Sequence, residues 1–133
     1  MDAQELARIP LFSELSEDDL EAVATYADEV TVSEGKHLVD EGGYAYDLFA
    51  IIEGTAQVII GGQVVAELGP GDFFGEAGVL EKQQRNATVV AKTRMRLVTL
   101  TGWDLRRMRK QLGPVMGKLE HAVEQRRQPI AGG

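Results

Sequence analysis

The residue types best suited to chemistry lie between positions 74 and 88. Gly75 and Gly78 flank a short segment able to form one helical turn, whose unpaired backbone N–H groups would make a small anion socket. Arg85 adds a planar guanidinium whose geometry suits two phosphate oxygens. Glu76 fits beside a phosphate only if it accepts a hydrogen bond from an adjacent hydroxyl, such as a ribose 2′-hydroxyl. The pattern therefore predicts a site for a phosphate joined to a sugar.

Short β-rich runs surround this stretch and would position it. Five of them are Asp47–Ile52, Thr55–Ile60, Gln63–Leu68, Ala87–Ala91 and Arg96–Leu100, and glycines lie in the breaks between the first four. The break Gly61-Gly62 is a strong two-residue hairpin signal, because primed turns require positive φ. Short strands at this spacing favour a closed or rolled antiparallel sheet over βαβ units.

Helical spacing appears on both sides of the strand-rich centre. Apolar residues recur at helical intervals from Ser13 to Ala27, and Ser16 with the acidic residue three positions later resembles a capping arrangement. A second helix is predicted from Asp104 to Leu112. Gly113-Pro114 interrupts it, since proline cannot continue a helix but starts one well, and a last helix then extends to about Arg127.

Composition is that of an ordinary globular protein. Of the 133 residues, 44% are hydrophobic and 26% are charged, and cysteine is absent. No apolar run approaches the ~20 residues of a membrane span, and the N-terminus lacks the pattern of a signal peptide. These features predict one domain, without a membrane segment, in the cytoplasm.

Charge is distributed unevenly along the chain. The net charge is −7, and residues 1–34 carry ten acids against the single base Arg8, whereas residues 102–133 carry seven bases and three acids. An acidic domain repels phosphate backbones, so the chain is expected to bind nucleic acid poorly. Six residues follow Arg127, too few for a helix-turn-helix after the last helix, so no DNA-binding domain is expected in this chain. The basic C-terminal part is either a solvated helix face or a surface that docks onto acidic groups.

The sequence offers little support for an enzyme. His37 and His121 are far apart and have no acidic partner at ligand spacing, so no metal site is expected. No nucleophile elbow and no nucleotide-hydrolysing P-loop is found. We therefore expect a binding protein without a catalytic residue, a metal or a cofactor.

A longer pattern makes the site more specific. Phe74-Gly75-Glu76, eight intervening residues and then Arg85-Asn86-Ala87-Thr88 resemble the phosphate-binding cassette of the cyclic-nucleotide-binding domain family. The run Ile9–Ser16 is similar to the usual start of these domains, and the turn Leu68–Asp72 fits their β-roll. The resemblance covers about residues 9–127, and residues 74–88 are called the cassette from here on.

The resemblance implies a role for each site residue. Glu76 would accept from the ribose 2′-hydroxyl and Arg85 would pair with the exocyclic phosphate oxygens of cAMP or cGMP. The remaining ligand-binding residues are expected to be Phe74, Gly75, Ala77, Gly78, Asn86 and Ala87, mostly through their backbone. The last helix would be a lid over the base, with Met116, Leu119 and Val123 as apolar caps.

The implied fold is mainly β with flanking helices. It is an antiparallel β-roll, also described as a double-stranded β-helix or jelly-roll, preceded by an N-terminal helix and followed by hinge and lid helices. Residues 1–133 would form a single domain, with helical residues 1–29, the roll at 30–100 and the hinge and lid helices at 101–128. The hinge is expected near Gly102 or at Gly113-Pro114.

The implied function is that of a cyclic-nucleotide sensor, with cAMP more favoured than cGMP as ligand. Binding would close the lid and signal to an effector protein or to a second copy through the C-terminal helix. Gln84 and Asn86 differ from the residues usual in the family. Asn86 leaves the preference between cAMP and cGMP open. The alternative is a β-roll scaffold that binds partner proteins and no nucleotide.

Overall fold

The structure, a computed structural model, describes residues 1–42, 47–75 and 87–126. Within these ranges the helices are α1 (Ala3–Ala7), α2 (Glu17–Ala24), α3 (Gly102–Gln111) and α4 (Gly113–Arg126), with a 3-10 turn at Pro10–Phe12. The strands are β1 (Asp28–Val32), β2 (His37–Val39), β3 (Leu48–Glu53), β4 (Ala56–Ile60), β5 (Gln63–Leu68), β6 (Phe73–Phe74), β7 (Thr88–Ala91) and β8 (Met95–Leu100). Helices precede and follow a strand-rich centre, as the sequence predicts.

The described strands form two four-stranded antiparallel sheets. The first has the order β1-β8-β3-β6 and the second the order β2-β7-β4-β5. The hairpin between β4 and β5 turns at Gly61 and Gly62, whose φ angles of 58° and 81° confirm the predicted primed turn. Two antiparallel sheets with flanking helices confirm the β-roll fold class.

The central strands β3 and β8 of the first sheet bury side chains on both faces, since alternate residues of a strand point in opposite directions. In β3, Leu48 and Ala50 join a core beneath the helices, whereas Phe49 and Ile51 join a second core between the two sheets. Strand β8 divides its side chains in the same way. The continuous apolar run of β3 therefore reflects a strand that serves two cores.

The two cores are called the helical core and the roll core. The helical core brings together side chains of all four helices, the 3-10 turn and the first sheet. The roll core fills the space between the sheets and consists of Val39, Phe49, Ile51, Ala56, Val58, Leu68, Phe74, Val89, Ala91, Met95 and Leu97. No described helix is long and apolar enough to cross a bilayer.

The sequence pattern does not predict four of the elements. Helix α1 has five residues, while β2 and β6 have three and two, and such lengths are too short to display a period. Strand β1 begins with two exposed acids, Asp28 and Glu29, which hide its β character. On the outer face of the sheet, Glu29 and Glu53 accept hydrogen bonds from Arg96, which raises the pKa of that guanidinium.

Two corners of the roll approach each other closely at Gly54. This residue has a φ of 94°, and a Cβ built there would lie 2.5 Å from the carbonyl oxygen of Arg94 and 2.8 Å from Cγ of Met95. Beside it, the N–H of Thr55 donates to Oγ1 of Thr93 at 3.0 Å. Only glycine satisfies both the left-handed backbone and the lack of space.

We predict that Gly54→Ala lowers the free energy of unfolding by roughly 2–5 kcal/mol, because strain and overpacking act together. The matched control is Gly61→Ala, which also has positive φ but has nothing within 4 Å of the added Cβ. That variant is expected to lose only about 1 kcal/mol. Urea unfolding of both variants measures the difference, and equal losses would contradict the close approach.

Candidate functional site

A tight turn fixes the entry to the cassette. Oδ2 of Asp72 accepts from the N–H of Gly69 at 2.8 Å, and the N–H of Asp72 donates to the Gly69 carbonyl at 3.0 Å. Gly71 adopts a φ of 92° in this turn and donates its N–H to the carbonyl of Ile51 at 3.0 Å. The turn is thus tied to β3 before the cassette begins.

Strand β6 places the first cassette residue inside the roll. Phe74 pairs with Phe49 of β3, and their rings stack with centroids 5.1 Å apart and planes 20° apart. The side chain of Phe74 is 5% exposed. Gly75 follows with a φ of 80°, a left-handed conformation that turns the chain out of the strand at little steric cost. Phe74 therefore anchors the start of the cassette in the roll core, and the chain leaves strand β6 at Gly75.

The far end of the cassette is held by the second sheet. Ala87 packs against the roll core, and Thr88 begins β7, a strand between β2 and β4. Oγ1 of Thr88 accepts from the N–H of Glu41 at 3.0 Å, and Oε1 of Glu41 accepts from the N–H of Gly61 at 3.0 Å. The two ends of the cassette are consequently attached to different sheets of one roll.

Five predicted ligand-binding residues lie outside the described residues: Glu76, Ala77, Gly78, Arg85 and Asn86. Their predicted roles remain predictions. The other three predicted ligand-binding residues of the cassette are described. Phe74 and Gly75 lie at the end of β6 in the first sheet, and Ala87 directly precedes β7 in the second.

The predicted apolar caps lie in the helical core. Met116, Leu119 and Val123 are 2%, 0% and 0% exposed and belong to the cluster that also contains residues of α1, α2 and β3. Their contact with a ligand stays a prediction, and it would require α4 to move from this position. The opposite face of α4 is polar, so the helix packs with its apolar stripe against the helical core and its polar face toward solvent.

The predicted hinge near Gly102 is tied to the first sheet. Thr101 caps α3 through a reciprocal capping box with Asp104, and the N–H of Gly102 donates to Oδ1 of Asp47 at 2.9 Å. Asp47 directly precedes β3, so this hydrogen bond ties the start of α3 to that strand. Sequence analysis missed Asp47, since one aspartate before a strand carries no signal of its partner across 55 positions.

A groove of about 320 Å³ lies between the turn before β6 and the end of α4. It is lined by Gly71, Asp72, Phe73, Gln125 and Arg126. In the part of the chain that the structure describes, no three histidine, cysteine or carboxylate side chains are grouped to hold a metal ion. His37 instead lies 2.9 Å from Oδ1 of Asp40 on the surface.

Comparison with known proteins relates the roll and its cassette to one family. Residues 29–111 match the model of the cyclic nucleotide-binding domain. A protein of Rhodopseudomonas palustris named as a potassium channel protein is 33% identical over 124 residues, which are 91% of this chain and 30% of that protein. The cAMP-dependent protein kinase regulatory subunit of Yarrowia lipolytica is 36% identical over 118 residues, covering 86% of this chain and 30% of that subunit.

A solved structure extends the similarity to three dimensions. The regulatory subunit of a cAMP-independent protein kinase A from Trypanosoma brucei aligns with a TM-score of 0.76 and 29% identity, covering 95% of this chain and 44% of that one. This chain spans less than a third of each of the two relatives compared by sequence.

We predict that the two stacked rings contribute jointly to stability. Phe49→Leu and Phe74→Leu should each cost about 1–2 kcal/mol, and a double-mutant cycle should give a coupling of about 0.5–1.5 kcal/mol. Urea unfolding of the four proteins measures it. As a control, Phe74→Leu combined with Phe12→Leu, which lies in the helical core, should be additive within about 0.5 kcal/mol. Additivity of the Phe49 and Phe74 variants would contradict the stacked anchor.

Proposed function

Because the chain belongs to the cyclic nucleotide-binding domain family, we propose that it is a sensor domain whose ligand is a cyclic mononucleotide, with cAMP preferred to cGMP. The observation that carries the proposal is the anchoring of the cassette, with Phe74 and Gly75 on the first sheet and Ala87 beside the second. In this proposal the segment between the two anchored ends binds the ligand, with Glu76 accepting from a ribose hydroxyl and Arg85 pairing with the phosphate.

A cation at this site would favour a phosphate ligand electrostatically. The ligand carries a phosphate charge, and the chain has a net charge of −7. From Glu53 to Thr88 the sequence has two bases, Lys82 and Arg85. An arginine forms two parallel hydrogen bonds with a phosphate, whereas a lysine acts as a point charge. Arg85 is therefore assigned to the phosphate, and Lys82 offers a comparison within the same segment.

The signal is proposed to pass through the hinge at Gly102. Asp47 connects the start of α3 to the first sheet, and Phe49 of the same β3 strand carries the cassette anchor Phe74. A ligand shifts the position of α3 and α4 only through a difference in its affinity for two arrangements. Because Met116, Leu119 and Val123 are buried in the helical core, movement of α4 toward the ligand would withdraw this apolar stripe from that core.

We predict that Arg85→Ala weakens cAMP binding by about 2–5 kcal/mol, because the phosphate charge then lacks its partner. Isothermal calorimetry with cAMP and cGMP on folded, ligand-free protein measures the loss. Lys82→Ala removes the same charge three residues away and is expected to change affinity by less than about 1 kcal/mol. Equal effects of the two substitutions would contradict the assignment of Arg85.

If the hinge moves when the ligand binds, the fluorescence emission of the tryptophan in α3 should change. Trp103 is the single tryptophan, and it is the second residue of α3 with 66% of its surface exposed. Saturating cAMP should shift its emission, with a midpoint equal to the calorimetric dissociation constant, and Arg85→Ala should abolish the shift at the same ligand concentration. Calorimetric binding without any change in emission would argue against transmission through α3.

A second candidate function is a β-roll scaffold that binds proteins and no nucleotide. It is favoured by the similarity to a regulatory subunit of a kinase described as cAMP-independent and by the unusual residue Asn86. Retention of both Glu76 and Arg85 favours the sensor. Calorimetry that gives no heat with either nucleotide, on protein shown to be folded, would support the scaffold. In either case the natural partner is proposed to be an effector protein or a segment of a longer chain.

A further inference from the structure

The outward side of helix α3 carries a tryptophan and three cations. Spacing of i, i+3, i+4 and i+7 places four exposed residues within about 100° of one another around the helix axis: Trp103, Arg106, Arg107 and Lys110. This set is called the α3 stripe. The buried residues of α3, Leu105 and Met108, lie on the opposite side in the helical core. The stripe therefore points away from the core.

The cations of the α3 stripe make no ion pair with any residue that the structure describes. Asp104, the one acid of α3, is engaged in the capping box at the start of the helix, and Glu120 of α4 pairs with Arg109 instead. Three cations of other described elements do have carboxylate partners, namely Lys92, Arg96 and Lys118. An acidic group from another molecule would give the stripe the partners that its own helix lacks.

Two aromatic rings order the arginines of the stripe. Cζ of Arg106 lies 6.0 Å from the centroid of the Trp103 ring, and Cζ of Arg107 lies 5.3 Å from that of Tyr26. The Tyr26 hydroxyl in turn donates to Oε1 of Gln111. A guanidinium that lies over a ring keeps its N–H edge free, and that edge can form two parallel hydrogen bonds with a carboxylate. Ordering before binding reduces the entropy lost when a carboxylate arrives.

Trp103 supplies the apolar part of the stripe. With 66% of its surface exposed, it is the only large hydrophobic residue exposed on the described helices. A single exposed hydrophobic residue is common on protein surfaces, so Trp103 indicates a contact only together with the cations beside it. Tryptophan and arginine are both enriched among the residues that dominate the binding free energy of protein interfaces.

Length and charge restrict the anion that fits the stripe. From its first residue to its last the stripe extends about 10 Å along the helix axis. The whole chain has a net charge of −7. Nucleic acid and anionic bilayers extend far beyond the stripe and are repelled by the negative charge of the molecule as a whole. A short segment lies close to the cations, and salt screens it from charges more than about 8 Å away.

We infer that the α3 stripe docks a short acidic segment of a partner protein that also carries a large apolar side chain. Two or three carboxylates of the segment pair with Arg106, Arg107 and Lys110, and the apolar side chain packs on Trp103. Complementary charges orient the segment and make its binding sensitive to salt. The inference goes beyond the nucleotide site, because the stripe lies on a helix outside the cassette and needs no ligand there.

Selection of random phage-displayed peptides on the intact chain, without nucleotide, tests the chemistry of the partner. The recovered peptides should combine two or more acids with a tryptophan, phenylalanine or leucine. A fluorescently labelled synthetic copy should bind in anisotropy titrations, and replacing its acids by the corresponding amides should weaken binding by about tenfold or more. Failure to recover any peptide, or recovery of peptides without an excess of acids, would overturn the inference.

A pair of charge variants locates the contact. Arg106→Glu with Lys110→Glu should abolish binding of the recovered peptide, because like charges then meet. The matched control, Lys36→Glu with Arg94→Glu, makes the same change in net charge at exposed positions on other elements and should change affinity by less than about twofold. Equal losses in the two variants would show an effect of net charge alone and would contradict docking on α3.

A second pair of variants tests the apolar anchor. Trp103→Ala should weaken binding of the peptide by about tenfold or more, whereas Val64→Ala, at an exposed valine of β5, should not. Neither should lower the melting temperature, since both side chains lie outside the two cores. Binding that is indifferent to Trp103→Ala would remove the tryptophan from the contact and overturn the inference.

Two other anions serve as competing probes: vesicles of phosphatidylserine with phosphatidylcholine, and a single-stranded oligonucleotide. Neither should bind in a manner that Arg106→Glu with Lys110→Glu abolishes. Binding of either probe through the stripe, with no peptide bound there, would overturn the inference in favour of lipid or nucleic acid. Absence of cAMP binding in calorimetry would refute the sensor and leave the peptide result unchanged, so the two proposals fail separately.

Discussion

The site depends on strand pairing at the two ends of the cassette. Strand β6 has only two residues, and its pairing with β3 fixes the start of the cassette. Phe74, paired with Phe49, is the last residue of the first sheet before the chain leaves it. The ring of Phe49 stabilises that pairing from the opposite strand. At the other end β7 has partners on both sides. One end is therefore held by a two-residue pairing, a ring stack and the hydrogen bonds of the preceding turn to Ile51, and the other end by a strand inside the second sheet.

The first sheet also connects the site to the helices. Strands β3 and β8 contribute alternate side chains to the roll core and the helical core. A displacement of β3 would therefore change the packing in both cores. Asp47 adds a direct hydrogen bond from the beginning of β3 to the beginning of α3. Interiors are closely packed and transmit such shifts. In the proposed function, this arrangement is the route by which a ligand at the cassette would shift α3 and α4.

Much of the fold could be predicted from the sequence, and the reasons are visible in particular elements. The Gly61-Gly62 turn, the strands around it and the break at Gly113-Pro114 depend on local backbone preferences, which sequence displays directly. Strand β6 could not be predicted from the sequence, since two residues are too few to show the alternating pattern of a strand. Phe73 and Phe74 form a strand because they pair with β3. Ser16 caps α2 as predicted, whereas the link from Asp47 to Gly102 depends on tertiary contact.

The predicted site has a similar division. The types and spacing of Glu76 and Arg85 predict a phosphate joined to a hydroxyl-bearing sugar, and these roles stay predictions because both residues lie outside the described residues. The cap residues Met116, Leu119 and Val123 show only helical periodicity, and an apolar stripe of that kind packs equally well into a core or over a ligand. Their burial in the helical core could not be distinguished from a lid by sequence alone.

The most direct test of the account is an amide NMR titration of the ¹⁵N-labelled chain with cAMP. The account predicts that the largest shifts occur at the two ends of the cassette, Gly75 and Ala87, with smaller shifts at Gly102 where α3 begins. Spectra of folded protein that do not change with cAMP, or shifts centred on Gln125 and Arg126 in the groove at the end of α4, would contradict it.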